Sequence, residues 1–311
     1  YLEHLRGSPY FVERAPIRDT ADLQDRLKRG EAVATVEIPP GFGRDIRRLR
    51  PTEVAVWIDG AMPFRAETIR GYLEGAHRQY LADRTVRGRG VGTDPAVEAN
   101  IAVRFRYNQD FDSVYAMVPA QIAFQLALIP AILMALAIVR EKELGSIVNL
   151  YVTPVSRLEF LLGKQLPYIA LGMINFVLLV AMAIFLFGVP LKGSLALLTL
   201  SALTYVAATT AYGQVISAFT STQIAALFGT AILTVLPASM FAGMLVPTSS
   251  ITGFGAVLGR LFPMTYFLPL SVGTFTKGLG FADLVGNLLI LACFVPGLPL
   301  LGIVLLRSRE R

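Results

Sequence analysis

The sequence predicts a membrane all-α bundle preceded by an N-terminal extracytoplasmic α/β domain. Three observations predict it: five long apolar runs after residue 113, a break in charge density at the same point, and alternating strand-like and helix-like segments before it. Of the 22 acidic residues, 17 lie in residues 1–113, and only Glu141, Glu143, Glu159, Asp283 and Glu310 follow. Eighteen of the 28 basic residues also lie in the first 113. The chain as a whole is 54% hydrophobic and 16% charged, where a soluble domain averages about 25% charged. The deficit falls entirely on the second part.

Residues 1–113 read as a small domain. Tyr10–Val12 is a short strand candidate. Asp19-Thr20 can cap a helix running to about Arg29, with Gly30 placed to stop it. Residues 32–38 and 53–58 are β-rich and end at Pro39-Pro40 and Asp59-Gly60. A longer helix follows Pro63, with Ile69, Leu73, Ala76 and Tyr80 spaced three and four apart. Residues 87–94 are a Gly/Arg-rich loop, and 99–107 a last strand. About 110 residues are enough to bury a core.

Residues 114–311 hold apolar runs at about 114–139, 166–187, 194–219, 224–246 and 284–306, each near the roughly 20 residues that a helix needs to cross about 30 Å of hydrocarbon. Five such runs argue against a soluble protein. Between the first two lies the polar segment 140–165, with Arg140, Lys142, Arg157 and Lys164. The chain ends on Arg307, Arg309 and Arg311, whereas the loop near residue 190 carries Lys192 alone. The positive-inside rule therefore predicts a cytoplasmic 140–165 and C-terminus, with residues 1–113 outside. An outer first domain with no signal peptide predicts a further span upstream of Tyr1.

Several classes of chemistry are disfavoured. The net charge of +6 sits in short segments between spans, so no nucleic acid is expected. Cys293 is the only cysteine, which rules out an intrachain disulfide and a Cys-based metal cage. His4 and His77 have no partner at ligand spacing and read as solvated surface imidazoles. A P-loop needs G-x-x-x-x-G-K-[ST]. Gly163-Lys164 is followed by Gln165 and preceded by Leu158 where the first glycine should stand. No enzyme activity, metal or cofactor is expected in this chain.

The segment 140–165 carries the functional signal. Arg140-Glu141-Lys142-Glu143-Leu144-Gly145-Ser146 begins it. Asn149-Leu150-Tyr151-Val152-Thr153-Pro154 follows, then Ser156-Arg157-Leu158-Glu159 with capping-box spacing. Such a piece can dock into a partner's groove or lie on the membrane as a charged loop. Pattern alone leaves both open. The run 140–146 through Thr153-Pro154, with Leu161-Leu162-Gly163-Lys164, resembles the coupling segment of ABC-2 type transporter permeases. Asp59-Gly60-Ala61-Met62-Pro63, Arg65-Ala66-Glu67-Thr68, Phe105-Arg106-Tyr107-Asn108 and Gln223-Ile224-Ala225-Ala226 extend the resemblance over the chain. They bring it closest to the permease half of the ribosome-associated ATPase group and its stand-alone relatives.

This resemblance implies the type V exporter fold in a bacterial inner membrane. It implies that Arg140, Glu141, Lys142, Glu143, Gly145, Ser146, Tyr151, Thr153, Pro154, Arg157, Glu159 and Lys164 couple the permease to an ATP-binding cassette ATPase, which holds ATP and Mg. It also implies a dimer with a second copy or paralogue, in contact with membrane lipid. A second reading, a membrane anchor for a ribosome-associated ATPase, stays open. Residues 247–280, broken by glycine and proline, are expected to form outer re-entrant helices with Pro247, Gly255, Gly259 and Pro263 at an exit gate. The small-xxx-small pairs Gly255/Gly259 and Gly213/Ser217 read as helix packing. Gln121, Gln125, Asn175, Tyr205, Gln214 and Asn287 are polar positions inside apolar runs, each more readily an interhelical hydrogen bond than a pathway residue.

Overall fold

The computed structural model describes residues 1–8, 11–48, 50, 52–87, 99–107, 113–145, 157–245, 248, 251 and 253–309. Contacts divide the chain into two units, Tyr1–Ser113 and Val114–Arg311.

The first unit contains α1 (Leu2–Arg6), α2 (Thr20–Arg29), β1 (Ala34–Glu37), α3 (Phe42–Arg47), β2 (Thr52–Asp59), α4 (Pro63–Arg87) and β3 (Ala99–Arg106). The Asp19 carboxylate accepts the Asp22 amide at 2.7 Å to open α2, and Gly30 closes it at φ +74°. The sheet order is β1-β2-β3. β1 runs antiparallel to β2 with Val36 opposite Val56. β3 runs parallel to β2 with Val103 opposite Val56. A parallel neighbour requires a crossover, and α4 supplies it. The alternation along β2 turns Val54, Val56 and Ile58 into a core with Phe42, Ile46, Ala66 and Leu73.

Two expectations change here, and two short helices are added. Phe11 and Val12 form no strand, and the added α1 and α3 are too short to leave a periodic signal. His77 is not solvated: it is 5% exposed, with its ring edge against Tyr1 and Nδ1 3.3 Å from the Tyr1 hydroxyl. A lone histidine at a helical core position leaves no sequence signal to distinguish it from a surface one.

The second unit is helical. Its elements are α5 (Ser113–Glu143), α6 (Arg157–Ala181) extended by a π-helical turn (Met182–Leu186), α7 (Leu195–Ser217) and α8 (Gln223–Met240). They are followed by α9 (Phe254–Arg260), α10 (Met264–Val272) extended by a second π turn (Gly273–Lys277), and α11 (Phe281–Arg309). Among the described residues five helices are long and apolar enough to cross a membrane, within α5, α6, α7, α8 and α11. α5 and α6 outrun their apolar stretches. Glu and Lys are good helix formers, so α5 continues until Gly145 at φ +70°. α8 ends at Met240, six residues before its apolar run does, just short of Gly243 at φ +91°.

α5 and α7 form the interior, with 56% and 61% of their most apolar stretches buried against 17–22% for α6, α8 and α11. α7 is the hub, packing against α6, α8, α10 and α11. A carbon added at Gly213 would overlap the Ala131 carbonyl of α5, so the small residue there sets that approach. Polar side chains on α7 also repair neighbouring helices. Pro130 in α5 and Pro237 in α8 each remove the amide that would pair with the carbonyl four residues back. Thr209 donates to the freed Leu126 carbonyl at 3.0 Å, and Tyr212 to the freed Leu233 carbonyl at 2.8 Å. That is how prolines are tolerated in lipid.

Candidate functional site

α5 and α7 end, and α6 and α8 begin, at one end of the second unit, called here the near end. The last turn of α5 presents three consecutive charged side chains to three different helices. Glu141 pairs with Lys164 of α6 at 2.5 Å, both about one-third exposed. The Lys142 ammonium donates to the Ser217 carbonyl at 2.5 Å and to Thr220 at 3.4 Å, where α7 ends. The Glu143 carboxylate accepts the backbone amide of Gln223 at 2.8 Å and its side-chain amide, at the first residue of α8. An ammonium at a helix C-terminus and a carboxylate at an N-terminus both suit the local dipole, each worth about 0.3–1 kcal/mol. The Thr222 hydroxyl caps α8 as well, accepting from Ala225 at 3.2 Å.

A buried amide pair reinforces this end. Gln165 of α6 donates to the Ala207 carbonyl at 2.8 Å and to the Thr210 hydroxyl at 2.9 Å. Gln214 of α7 donates to Gln165 and to the Leu161 carbonyl, both at 3.3 Å. Both glutamines are at most 3% exposed. Each such bond in a membrane bundle contributes roughly 0.6 kcal/mol, and together they fix the start of α6 against α7.

Of the residues expected to couple, Glu141, Lys142, Glu143 and Lys164 are brought together. Arg140 is exposed, Gly145 terminates α5, Arg157 opens α6, and Glu159 lies in the first turn of α6. Ser146, Tyr151, Thr153 and Pro154 lie outside the described residues. Sequence reasoning did not find Gln165, Ser217 and Thr220 as partners. The last two act through backbone carbonyls, which no residue pattern announces.

At the far end, α9 and the α10 helix with its π turn form a pair bent by 68°. Gly255 and Gly259 meet Phe241 at the end of α8. A carbon on Gly259 would stand 2.6 Å from the Phe241 carbonyl and one on Gly255 3.0 Å from its ring. The Gly259 carbonyl accepts from Thr265 at 2.5 Å. Pro263 starts α10, its carbonyl accepting the Phe267 amide, and Phe267 stacks on Tyr205 of α7 at 4.2 Å. Ser271 donates to the Pro119 carbonyl of α5 at 2.8 Å. The pair starts beside the end of α8 and finishes beside the loop that follows α6, so it enters and leaves at the same end. Pro247 lies outside the described residues.

Comparison of the sequence with known families finds a match along nearly the whole chain. Residues 1–304 match the family described as ABC-2 family transporter protein. The chain belongs to the ABC-2 transporter family. The Escherichia coli K12 protein named probable multidrug ABC transporter permease YbhS is 28% identical to this ABC-2 chain over 313 residues, covering 100% of the chain and 81% of the relative. The E. coli K12 protein named probable multidrug ABC transporter permease YbhR is 24% identical, over 87% of the chain and 70% of the relative. The E. coli K12 inner membrane transport permease YhhJ is 27% identical, over 88% of the chain and 72% of the relative. No solved structure matches the chain.

Proposed function

We propose that this ABC-2 chain is the membrane half of an ATP-driven exporter. A partner ATPase docks on the segment between α5 and α6 and on the helix ends around it. The observation that carries the reading is the near-end collar. Because Glu141, Lys142 and Glu143 grip α6, α7 and α8 in turn, a push on the end of α5 reaches four helices at once. Polar segments joining helices at a membrane face suit a docking partner, and the basic near end fits a cytoplasmic location.

On the same reading, residues 1–113 form an extracytoplasmic α/β domain and residues 140–165 the coupling segment. The chain pairs with a second permease chain in the bacterial inner membrane. Its cargo is a hydrophobic or amphiphilic compound, in keeping with the multidrug wording of two relatives' names. The bent pair with Gly255, Gly259 and Pro263 forms the exit gate. The finer kinship with the ribosome-associated ATPase group rests on the sequence runs quoted above.

The test is Glu141→Ala with Glu143→Ala, in full-length chain produced with its ATPase and followed by ATP-driven ethidium uptake into inverted vesicles. Membrane insertion and ATP hydrolysis persist on this reading, while ATP-dependent ethidium movement drops to background. Wild-type export by the double variant would remove the collar from the coupling path.

A further inference from the structure

The far end holds a second connected arrangement, between the loop that joins α6 to α7 and the π turn after α10. In an α-helix the Thr274 carbonyl would accept from Gly278 and the Phe275 carbonyl from Leu279. Here the register is widened. The amides of Gly278 and Leu279, the latter at 3.1 Å, both turn to the Gly273 carbonyl, leaving Thr274 and Phe275 as acceptors without a helical donor. The loop supplies their donors. Gly193 donates to the Thr274 carbonyl at 2.9 Å and Lys192 to the Phe275 carbonyl at 3.3 Å.

Two glycines permit the approach. A carbon on Gly193 would stand 2.9 Å from both the Thr274 carbonyl oxygen and its Cγ2, and one on Gly278 would stand 3.3 Å from the Lys192 carbonyl and 3.4 Å from its Cβ. Gly278 also sits at φ +62°, which a side chain would resist. The turn that ends α6 is built alike. Gly188 at φ +64° is followed by Val189, whose amide reaches the Ala183 carbonyl six residues back at 2.9 Å. The loop is thereby anchored to α6 at its start and to the bent helical pair near its end.

We infer that loop 188–193 is the latch of the outer gate, and that it works by exchanging hydrogen-bond register. This rests on the exporter reading, because it assigns the bent helical pair to the exit. With the latch closed, the π turn offers two carbonyls to the loop and holds the pair against the ends of α6 and α7. With the latch open, the turn tightens, by one residue at Gly278 and by two at Leu279. Gly278 then pairs with Thr274 and Leu279 with Phe275, while the Lys192 and Gly193 amides go to water. The two carbonyls are bonded in both states, so the element has two discrete arrangements, as a switch requires. π turns in α-helices are frequent at functional sites.

Amide hydrogen exchange on the wild-type chain with its ATPase tests this. The resting complex is compared with one trapped by ATP and vanadate. Lys192 and Gly193 are protected at rest and lose protection when trapped, while Gly278 and Leu279 stay protected in both. Unchanged protection at Lys192 and Gly193 overturns the latch. Joint loss at all four amides overturns the register exchange, since it reports plain local unfolding.

A wild-type complex that exports no ethidium would instead count against the exporter reading, and the exchange comparison would still report on the loop.

Discussion

At the scale of single residues, the hydroxyls of α7 divide into two kinds. Thr204 donates to Leu200 in its own helix at 2.9 Å, and that carbonyl already has a helical partner. Tyr212, and Thr209 in a bond shared with Val206 of its own helix, reach carbonyls that prolines have stripped of their amides. In hydrocarbon such a carbonyl has no water to turn to. Thr209→Val and Tyr212→Phe are therefore each expected to destabilise the detergent-solubilised chain, by about 0.6 kcal/mol and at most about 1.7. Thr204→Val should leave stability unchanged. Unfolding titrations of the three variants check this, and equal effects at 204 and 209 would dismiss the repair. The expected losses are small because a membrane-embedded unfolded state also finds partners.

At the scale of elements, the ion pair between Glu141 and Lys164 joins the end of α5 to the start of α6. With both side chains about one-third exposed, its coupling energy belongs with solvent-screened pairs, about 0.5 kcal/mol. A double-mutant cycle with Glu141→Gln and Lys164→Met should return that value. The reversed pair, Glu141→Lys with Lys164→Glu, should regain ethidium export that either single reversal loses. Failure of the reversed pair, with normal insertion, would mean that position-specific contacts matter more than attraction. The existence of these two helices was legible, since apolar length announces a span. Their ends were not. The charges at 140–143 read as the start of a loop, yet helix propensity and three interhelical anchors carry the helix through them. The collar was only half visible, because Glu141, Lys142, Glu143 and Lys164 stand out in sequence while their backbone partners Ser217 and Thr220 do not. The π turns were illegible, since a one-residue shift in register changes no residue pattern.

At the scale of the whole molecule, charge asymmetry predicts orientation. The near end carries Arg140, Lys142 and Lys164 close to helix termini, and basic residues near span ends are retained on the cytoplasmic side. The far end carries Lys192 and Lys277, the second in the π turn that the loop contacts. Single cysteines in a Cys293→Ser background read this directly. Leu144→Cys sits at the near end, where Leu144 is 70% exposed, and Lys192→Cys at the far end, where Lys192 is exposed. A maleimide that cannot cross membranes should label Lys192→Cys in intact spheroplasts and reach Leu144→Cys only after permeabilisation. The opposite pattern would invert the molecule, place the collar outside, and deny an internal ATPase its docking surface. Equal labelling of both before permeabilisation would mean that the bilayer does not separate the two ends, against the spans that five long apolar helices predict. The orientation is therefore the first condition that the exporter reading has to meet. The collar can transmit a stroke only if the ATP and the near end share a compartment.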